Sequence, residues 1–496
     1  MKWKSRLVLP IASGAVRKLQ KDAAHGAVMQ QSVFKSLVKK GSETAIGNEM
    51  GLEHITTYDE FKRQVPIRDY ENLRPYIDRI IKGERHVLWP GVPRFFAKSS
   101  GTTSGVKYIP ITSDSIPNHI NSARNALFYY VTERSNASIF DGKLIFLSGS
   151  PELEMKGNIP TGRLSGIVNH LIPGWAKGNQ LPSYKTNCIE EWEEKVDRIV
   201  DETLKADMRL ISGIPPWVQM YYERLLTSTG KKSVSEIFKN YSLFVYGGVN
   251  YAPYASKLES LVGKSIDTLE TYPASEGFIA YQDTWPHEGL RLNINSGIFF
   301  EFIPADQAHA ENPDRIMLKD VELDKDYAII INSNAGLWGY HIGDMVRFVS
   351  LDPYRLIVSG RTEHFISAFG EHVIGKEVDQ AMSVASAATG VSVVEFTVAP
   401  QVNPPDGGEP YHEWFIEFDG DTKHLTTFRD HLETSMVKQN IYYKDLIDGN
   451  ILRPLVITPV KAGTFRKYME SQGKLGGQNK LPRLKNDRSL VDQIKP

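Results

Sequence analysis

A chain of 496 residues exceeds the size at which one hydrophobic core keeps growing, so a large domain and a smaller partner are expected. Its 41% hydrophobic and 24% charged residues are those of an ordinary globular protein, and a formal net charge of -1 excludes a global field that gathers nucleic acid or anionic membrane. One cysteine, Cys188, excludes an intrachain disulfide framework and a thiolate metal cluster, the pattern that a reducing cytoplasm produces.

In chain order, MKWKSRLVLPIASGAVRKLQ opens with basic residues and an apolar stretch, Leu7–Ala12, that is too short for a signal peptide. An amphipathic helix is predicted there, and no run approaches the length of a membrane span. Residues 1–92 read as a helical scaffold, with helices over Gln30–Lys40 and Tyr58–Gln64 and punctuation at Pro66, Pro75 and Pro90. From 93 to 358 strands alternate with helices: strand 143–150, helix 190–205, strand 208–215, helix 216–227, strand 241–248. That alternation predicts an α/β fold, a largely parallel sheet with helices on its faces, whose ligands bind where strands end in loops. Residues 289–358 turn to strands alone and suggest a β-rich subdomain. Past Gly360 come helix 375–388, strands 391–399 and 411–418, helix 425–437, strand 452–458 and a basic tail. The domains are therefore read as 1–360 and 367–496, joined at 361–366.

Five stretches carry chemistry. In SSGTTSGVK, Ser99 to Lys107, glycines allow close backbone approach while hydroxyls and backbone N–H groups offer donors, as a phosphate chain requires. The Walker pattern fails, because Gly105 leads into Val106, Lys107 and Tyr108 and not into Gly-Lys followed by Ser or Thr. Alone, the stretch reads better as a hairpin turn between strands 93–98 and 106–111. In VYGGVN (245–250) a strand ends in two glycines that let a flat base lie on backbone. TYPASEG (271–277) then supplies an aromatic, a hydroxyl and an acid suited to a hard metal ion, although Glu276 alone reads as a solvated loop carboxylate. Asp344 in GLWGYHIGDMVRF is either an acceptor for two ribose hydroxyls or a turn cap. In SGRTEHFISAFGEHVIGKEVDQAM (359–382) a charged break after Arg361 reads as a hinge or as a plain linker.

The order of these motifs, ending in Gly-Arg-x-x-x-x-Ile, Gly-x-x-Val and Glu-Val-Asp, resembles the adenylate-forming superfamily of acyl-CoA synthetases, luciferases and peptide-synthetase adenylation domains. Within it, SSGTTSG, TYPASEG, YHIGD, SGRTEHFISAFGEHVIGKEV and VPIRDYENLRPYIDRIIKGE (65–84) are similar to the auxin-responsive, or Gretchen Hagen, acyl acid amido synthetases of plants and their bacterial relatives. The likeness runs from about residue 30 to 485.

The resemblance implies an adenylate-forming fold: a large N-terminal domain (1–360) binding ATP and an acyl substrate, a hinge (361–366) with Glu363 and His364, and a small mobile α+β domain (367–496). It implies that Ser99, Ser100, Gly101, Thr102, Thr103 and Ser104 wrap the β- and γ-phosphates of ATP. Gly247, Gly248 and Tyr272 would frame adenine, Ser275 would lie near the α-phosphate, and Glu276 would hold Mg2+. Asp344, assisted by Arg361, would bind ribose. The mobile lysine would be Lys480, in GGQNKLPRL, with Lys467 and Lys474 as runners-up and Lys107 a helper. The family places the acyl pocket at Asn121–Tyr130 and Gly162–Trp175. Pro273 and His341 depart from the commoner wording of their motifs.

The implied reaction is adenylation of a carboxylic acid, then attack by an amino acid amine that releases AMP. A cytoplasmic enzyme with small-molecule partners, and neither nucleic acid nor membrane, is expected. The tail from 461 to 488 holds eight basic and two acidic residues, but only Phe465 and Tyr468 could serve as platforms for bases. The alternatives are an acyl-CoA ligase sharing the first step, a catalytically inactive nucleotide-binding homologue, and a ligase that forms an acyl-phosphate and ADP.

Overall fold

The structure is a computed structural model that describes residues 3–102, 105–172, 177–189, 191–249, 251–308, 310, 312–361, 365–371, 373–419, 425–472 and 481–494. The N-terminal scaffold forms as its periodicity predicts. Helix Trp3–Ala23 buries Ala12 and Val16 in a cluster with Ala126, Tyr129 and Tyr130 of helix Ile116–Glu133. Helix Gly26–Gly41 turns the apolar face of Val33, Phe34 and Leu37 inward. Helix Tyr58–Gln64 starts where a capping box allows it: the Thr57 hydroxyl accepts from Glu60 N–H, and the Glu60 carboxylate accepts from Thr57 N–H.

The strands are, in chain order, β1 (Phe95–Thr102), β2 (Gly105–Ile111), β3 (Lys143–Phe146), β4 (Glu154–Lys156), β5 (Ile159–Arg163), β6 (Gln180–Leu181), β7 (Met208–Ser212) and β8 (Leu243–Gly247). Then follow β9 (Asp267–Ala274), β10 (Gly277–Gln282), β11 (Leu290–Leu292), β12 (Ile298–Pro304), β13 (Ile316–Met317), β14 (Asp326–Ser333), β15 (Tyr340–Leu351) and β16 (Tyr354–Arg361). Four strands form one sheet in the order β2-β1-β5-β4, and twelve form another in the order β13-β12-β14-β15-β16-β11-β10-β9-β8-β7-β3-β6. The parallel half is the one that strand–helix alternation predicts: β6, β3, β7, β8 and β9 run parallel. Residues 289–358 do not make a sheet of their own. Their strands continue the same sheet in antiparallel order, joined to its parallel half through β11 on β10.

Past residue 361 lie the two-stranded β17 (Phe365–Ile366) and β18 (Val373–Ile374), then β19 (Ser392–Gln401), β20 (Tyr411–Asp419) and β21 (Val456–Val460) in a three-stranded sheet. Helices Gly375–Thr389 and Leu425–Gln439 accompany them as predicted. Helices Ile441–Asp448 and Thr464–Ser471 are additions that the sequence reading left as connection and tail.

Polar side chains sew the scaffold to the sheet. Buried Gln30 donates to the carbonyls of Ile294 (2.7 Å) and Ile298 (2.9 Å) and accepts from Phe300 N–H (2.8 Å). Glu301 on β12 is fully buried and receives Tyr58 Oη (2.9 Å), Asn332 Nδ2 (2.7 Å) and Arg315 Nη1 (3.4 Å). Arg315 also donates to the carbonyls of Lys62 and Val65 at the end of helix Tyr58–Gln64. Removing one partner of such a buried pair leaves a charge that the interior cannot solvate. Glu301→Leu is therefore expected to lower stability by about 3 to 5 kcal/mol in urea unfolding.

Candidate active site

The Ser/Thr/Gly stretch is the end of a β-hairpin. β1 and β2 pair antiparallel from Phe95 opposite Ile111 through Ser99 opposite Lys107 to Thr102 opposite Gly105, with an irregularity between Ser99 and Thr102. Strand structure thus reaches four residues beyond the expected 93–98, and residues 99–102 stand on the first strand of a hairpin. Ser99 and Lys107 are half-buried. Thr103 and Ser104, and the side chains of Ser100, Gly101 and Thr102, lie outside the described residues.

The strand-end glycines have separate reasons to be glycine. A Cβ on Gly247 would stand 2.3 Å from the Thr271 carbonyl oxygen of neighbouring β9. Gly248 has φ +82, is exposed, and meets only Ile214 within 4 Å, so it leaves an open flat surface at the strand end. Ser275 and Glu276 are the two-residue turn of the β9–β10 hairpin, closed by Ala274 opposite Gly277, and both are half-buried.

That turn interlocks with the start of β15. The Tyr272 hydroxyl donates to Asp344 Oδ2, and the Tyr340 hydroxyl donates to Glu276 Oε1 at 3.5 Å. Each segment therefore contributes one tyrosine and, four residues on, one acid. Tyr272, Tyr340 and Asp344 are buried. Burial, and then the Glu276 carboxylate, push the Tyr340 phenol well above its ordinary range, so it is a permanent donor to that acid. Arg361 stands opposite Asp344 in the β15–β16 ladder, and its side chain lies outside the described residues. Tyr272, Ser275, Glu276, Asp344 and the backbone of Arg361 are thus brought together, with Gly247 and Gly248 beside β9.

Sequence reasoning missed Asn118. From helix Ile116–Glu133 its Oδ1 accepts Phe278 N–H at 2.7 Å, and its Nδ2 donates to Ser296 Oγ at 2.9 Å, which anchors the chain just past Glu276. An Asn near the start of a helix has no motif that marks it. Of the expected acyl-pocket residues, Asn121–Tyr130 lie on this same helix and 162–171 form the end of β5 and helix Leu164–Leu171. Residues 173–176 lie outside the described residues. Glu276 is the lone acid at the turn, and among the described residues no group of three or more His, Cys, Asp or Glu could hold a metal. One carboxylate fits an ion whose other ligands are phosphate oxygens and water.

On the C-terminal side, Glu363, His364, Lys474 and Lys480 lie outside the described residues, while Lys467 is exposed on helix Thr464–Ser471. Residues 366–371 wedge between the two parts of the chain. The Tyr254 hydroxyl donates to the Ala368 carbonyl (2.8 Å), and buried Glu371 contacts buried His412 Nε2 (2.8 Å). Glu377 caps helix Gly375–Thr389 by accepting Ile374 N–H (3.0 Å), and Asn440 Nδ2 donates to its Oε2 (3.1 Å).

Two outcomes follow from this geometry. Tyr272→Phe removes a hydroxyl donated to a buried acid and is expected to destabilise the protein by about 1.5 to 3 kcal/mol in urea unfolding. Burial pushes Glu377 up from 4.5 to about 7. Between those values the folded chain keeps a proton that the unfolded chain releases, so stability falls as pH rises through the window. Thermal unfolding at pH 5 and pH 8 should show a drop of about 3 kcal/mol in the parent that Glu377→Gln lacks.

Residues 15–173, 292–361 and 376–489 match the GH3 family N-terminal, central and C-terminal domains. Among curated relatives, jasmonoyl-L-amino acid synthetase GH3.5 of Oryza sativa subsp. japonica is 23% identical, over 96% of this chain and 95% of its own. Indole-3-acetic acid-amido synthetase GH3.3 of Arabidopsis thaliana is also 23% identical, over 95% of this chain and 91% of its own. Among solved structures, GH3.15 acyl acid amido synthetase superposes with a TM-score of 0.60 at 17% identity, covering 97% of this chain and 95% of that one. A 2-hydroxyisobutyryl-CoA ligase in complex with 2-HIB-AMP and CoA gives 0.59 at 12%, over 94% and 91%. The fold is that of the adenylate-forming enzymes. Within that class, the chain belongs to the GH3 family.

Proposed function

We propose that the protein is an ATP-dependent acyl acid amido synthetase, which joins a small carboxylic acid to an amino acid with release of AMP and pyrophosphate. The observation that carries this reading is the interlock of Tyr272 with Asp344 and of Tyr340 with Glu276, set beside the open backbone of Gly248. Curated relatives named as amino acid conjugating synthetases, matched over nearly their whole length, support it.

A carboxylate is a poor electrophile, and attack of its oxygen on the α-phosphorus of ATP makes an anhydride with a good leaving group. In this reading Ser99–Ser104 hold the departing pyrophosphate on the tip of the β1–β2 hairpin. Gly247, Gly248 and Tyr272 frame the adenine. Tyr272 is buried and its hydroxyl is engaged with Asp344, so its ring is held in place beside the adenine site. Asp344, with Arg361, takes the ribose hydroxyls, and Ser275 lies near the α-phosphate.

Glu276, oriented by the Tyr340 hydroxyl, would hold Mg2+, which when bound neutralises charge on the phosphates. Lys480 would reach the α-phosphate oxygens as charge builds on them. We assign residues 1–360 and 367–496 to domains that turn about 361–366, with Glu363 and His364 in the hinge. That turn withdraws Lys480, after which the amine attacks the acyl carbonyl and AMP leaves. No described helix is long and apolar enough to cross a membrane, and the small-molecule chemistry suits a cytoplasmic enzyme.

The test incubates the protein with ATP, Mg2+, a panel of carboxylic acids and either mixed amino acids or CoA, with products read by mass spectrometry. Amide plus AMP is expected. Thioester without amide would make it an acyl-CoA ligase, ADP in place of AMP a different ligase, and no pyrophosphate exchange with any acid a nucleotide-binding homologue. Lys480→Ala and Glu276→Gln are each expected to slow pyrophosphate exchange by about a hundredfold or more.

A further inference from the structure

Helix Ile441–Asp448 reaches across from the C-terminal part of the chain to the base of the Ser/Thr/Gly hairpin. Its start is held rigidly, because Asn440 Oδ1 accepts the N–H groups of Tyr442 (3.0 Å) and Tyr443 (2.9 Å) while Asn440 Nδ2 is tied to Glu377. From its first turn the Tyr442 hydroxyl donates to the Lys98 carbonyl at 3.1 Å, one residue before Ser99. One turn further, Asp445 pairs with Arg163, the last residue of β5. The Arg163 guanidinium lies 4.9 Å from the centre of the Tyr442 ring.

Arg163 and Lys98 are neighbours in the β1–β5 ladder, so both contacts fall on one spot at the hairpin base. The Arg163 side chain is 24% exposed and packs close to Gly149, 3.0 Å from where a Cβ on that glycine would stand. Burial raises the pKa of the Tyr442 phenol, Arg163 opposes that, and the Glu276 carboxylate adds to it, so Tyr442 lies within electrostatic reach of Glu276. Near the helix's far end, Asn450 Nδ2 donates to Glu193 Oε1 (2.9 Å).

We infer that Arg163, Tyr442 and Asp445 are positioning residues, a latch by which the small domain grips the hairpin base and biases the enzyme toward one of its two half-reactions. The inference rests on the reading of adenylation followed by domain rotation. A partly buried guanidinium packed on the Tyr442 ring is stabilised by an anionic partner, and that partner, Asp445, comes from beyond residues 361–366. Rotation about those residues would break the ion pair and the Tyr442–Lys98 bond together. A contact present in one arrangement and absent from the other shifts the population between them.

The test uses Asp445→Asn and the charge-exchanged double variant Arg163→Glu with Asp445→Arg, in the full chain. Amide hydrogen exchange is read first, without substrates, so it stands even if no carboxylate is ever adenylated. Asp445→Asn is expected to speed exchange over both 441–448 and 95–102 by about tenfold, with the double variant returning toward the parent. Pyrophosphate exchange and single-turnover amide formation are then compared. Their ratio is expected to change at least about fivefold in Asp445→Asn, because one population grows as the other shrinks. Exchange that quickens over 441–448 alone or over neither segment, or half-reactions that fall in equal proportion, would overturn the latch.

Discussion

Two tyrosine hydroxyls on two acids set the shape of everything around them. In the large sheet β9 and β15 are separated by β10, β11 and β16, and four strand spacings in a flat sheet amount to about 19 Å. The Tyr272 hydroxyl nevertheless meets Asp344, so the sheet must curl until the end of β9 faces the start of β15. The Tyr340–Glu276 contact closes the same gap a few residues away. Strand twist gives the curl its direction, and the reciprocal pairs fix where it stops. A site assembled this way is stiff, since its acids belong to a strand and to a two-residue turn.

Around this stiff half the rest of the molecule is layered by how firmly each part is held. The helical scaffold is bound by Gln30 and by the Glu301 cluster, both buried and fully engaged with the sheet. The C-terminal part is held differently, through the wedge at 366–371 and the contacts of helix Ile441–Asp448 with Arg163 and Lys98. Apolar packing still joins the two parts, because Ile366, Phe369 and Val373 fall in one buried cluster with Trp217, Tyr246 and Tyr254. The proposed reaction would use such a division, with a preorganised surface for the charges that develop and a separately held element for the mobile lysine we assign to Lys480.

Periodicity made the scaffold legible, and helix Tyr58–Gln64 appears over the residues that its pattern marks. Strand–helix alternation gave the parallel half of the sheet for the same local reason. That the strands of 289–358 join that sheet was not legible, because pairing between distant strands leaves no trace in the spacing of one segment. The site acids stood out as residues in a motif order, yet the pairing of each with the other motif's tyrosine depends on a curl that no local pattern encodes. Asn118 and helix Ile441–Asp448 stayed hidden for related reasons. Asn118 works through a long-range contact with Phe278, and NIYYKDLID mixes aromatic and charged residues without a clear apolar stripe.

The β1–β2 ladder has an entropic consequence. Fixing the backbone of one residue takes about 1 to 2 kcal/mol, so a long slack loop that gathers around a phosphate tail loses much of its binding free energy to its own ordering. Here the ladder is continuous from Phe95 to Ser99 and, past an irregularity, pairs Thr102 with Gly105, so strand pairing already brackets the hydroxyl-rich residues. In the proposed reaction, a segment held this way would lose less of its binding free energy to its own ordering than a slack loop of the same length.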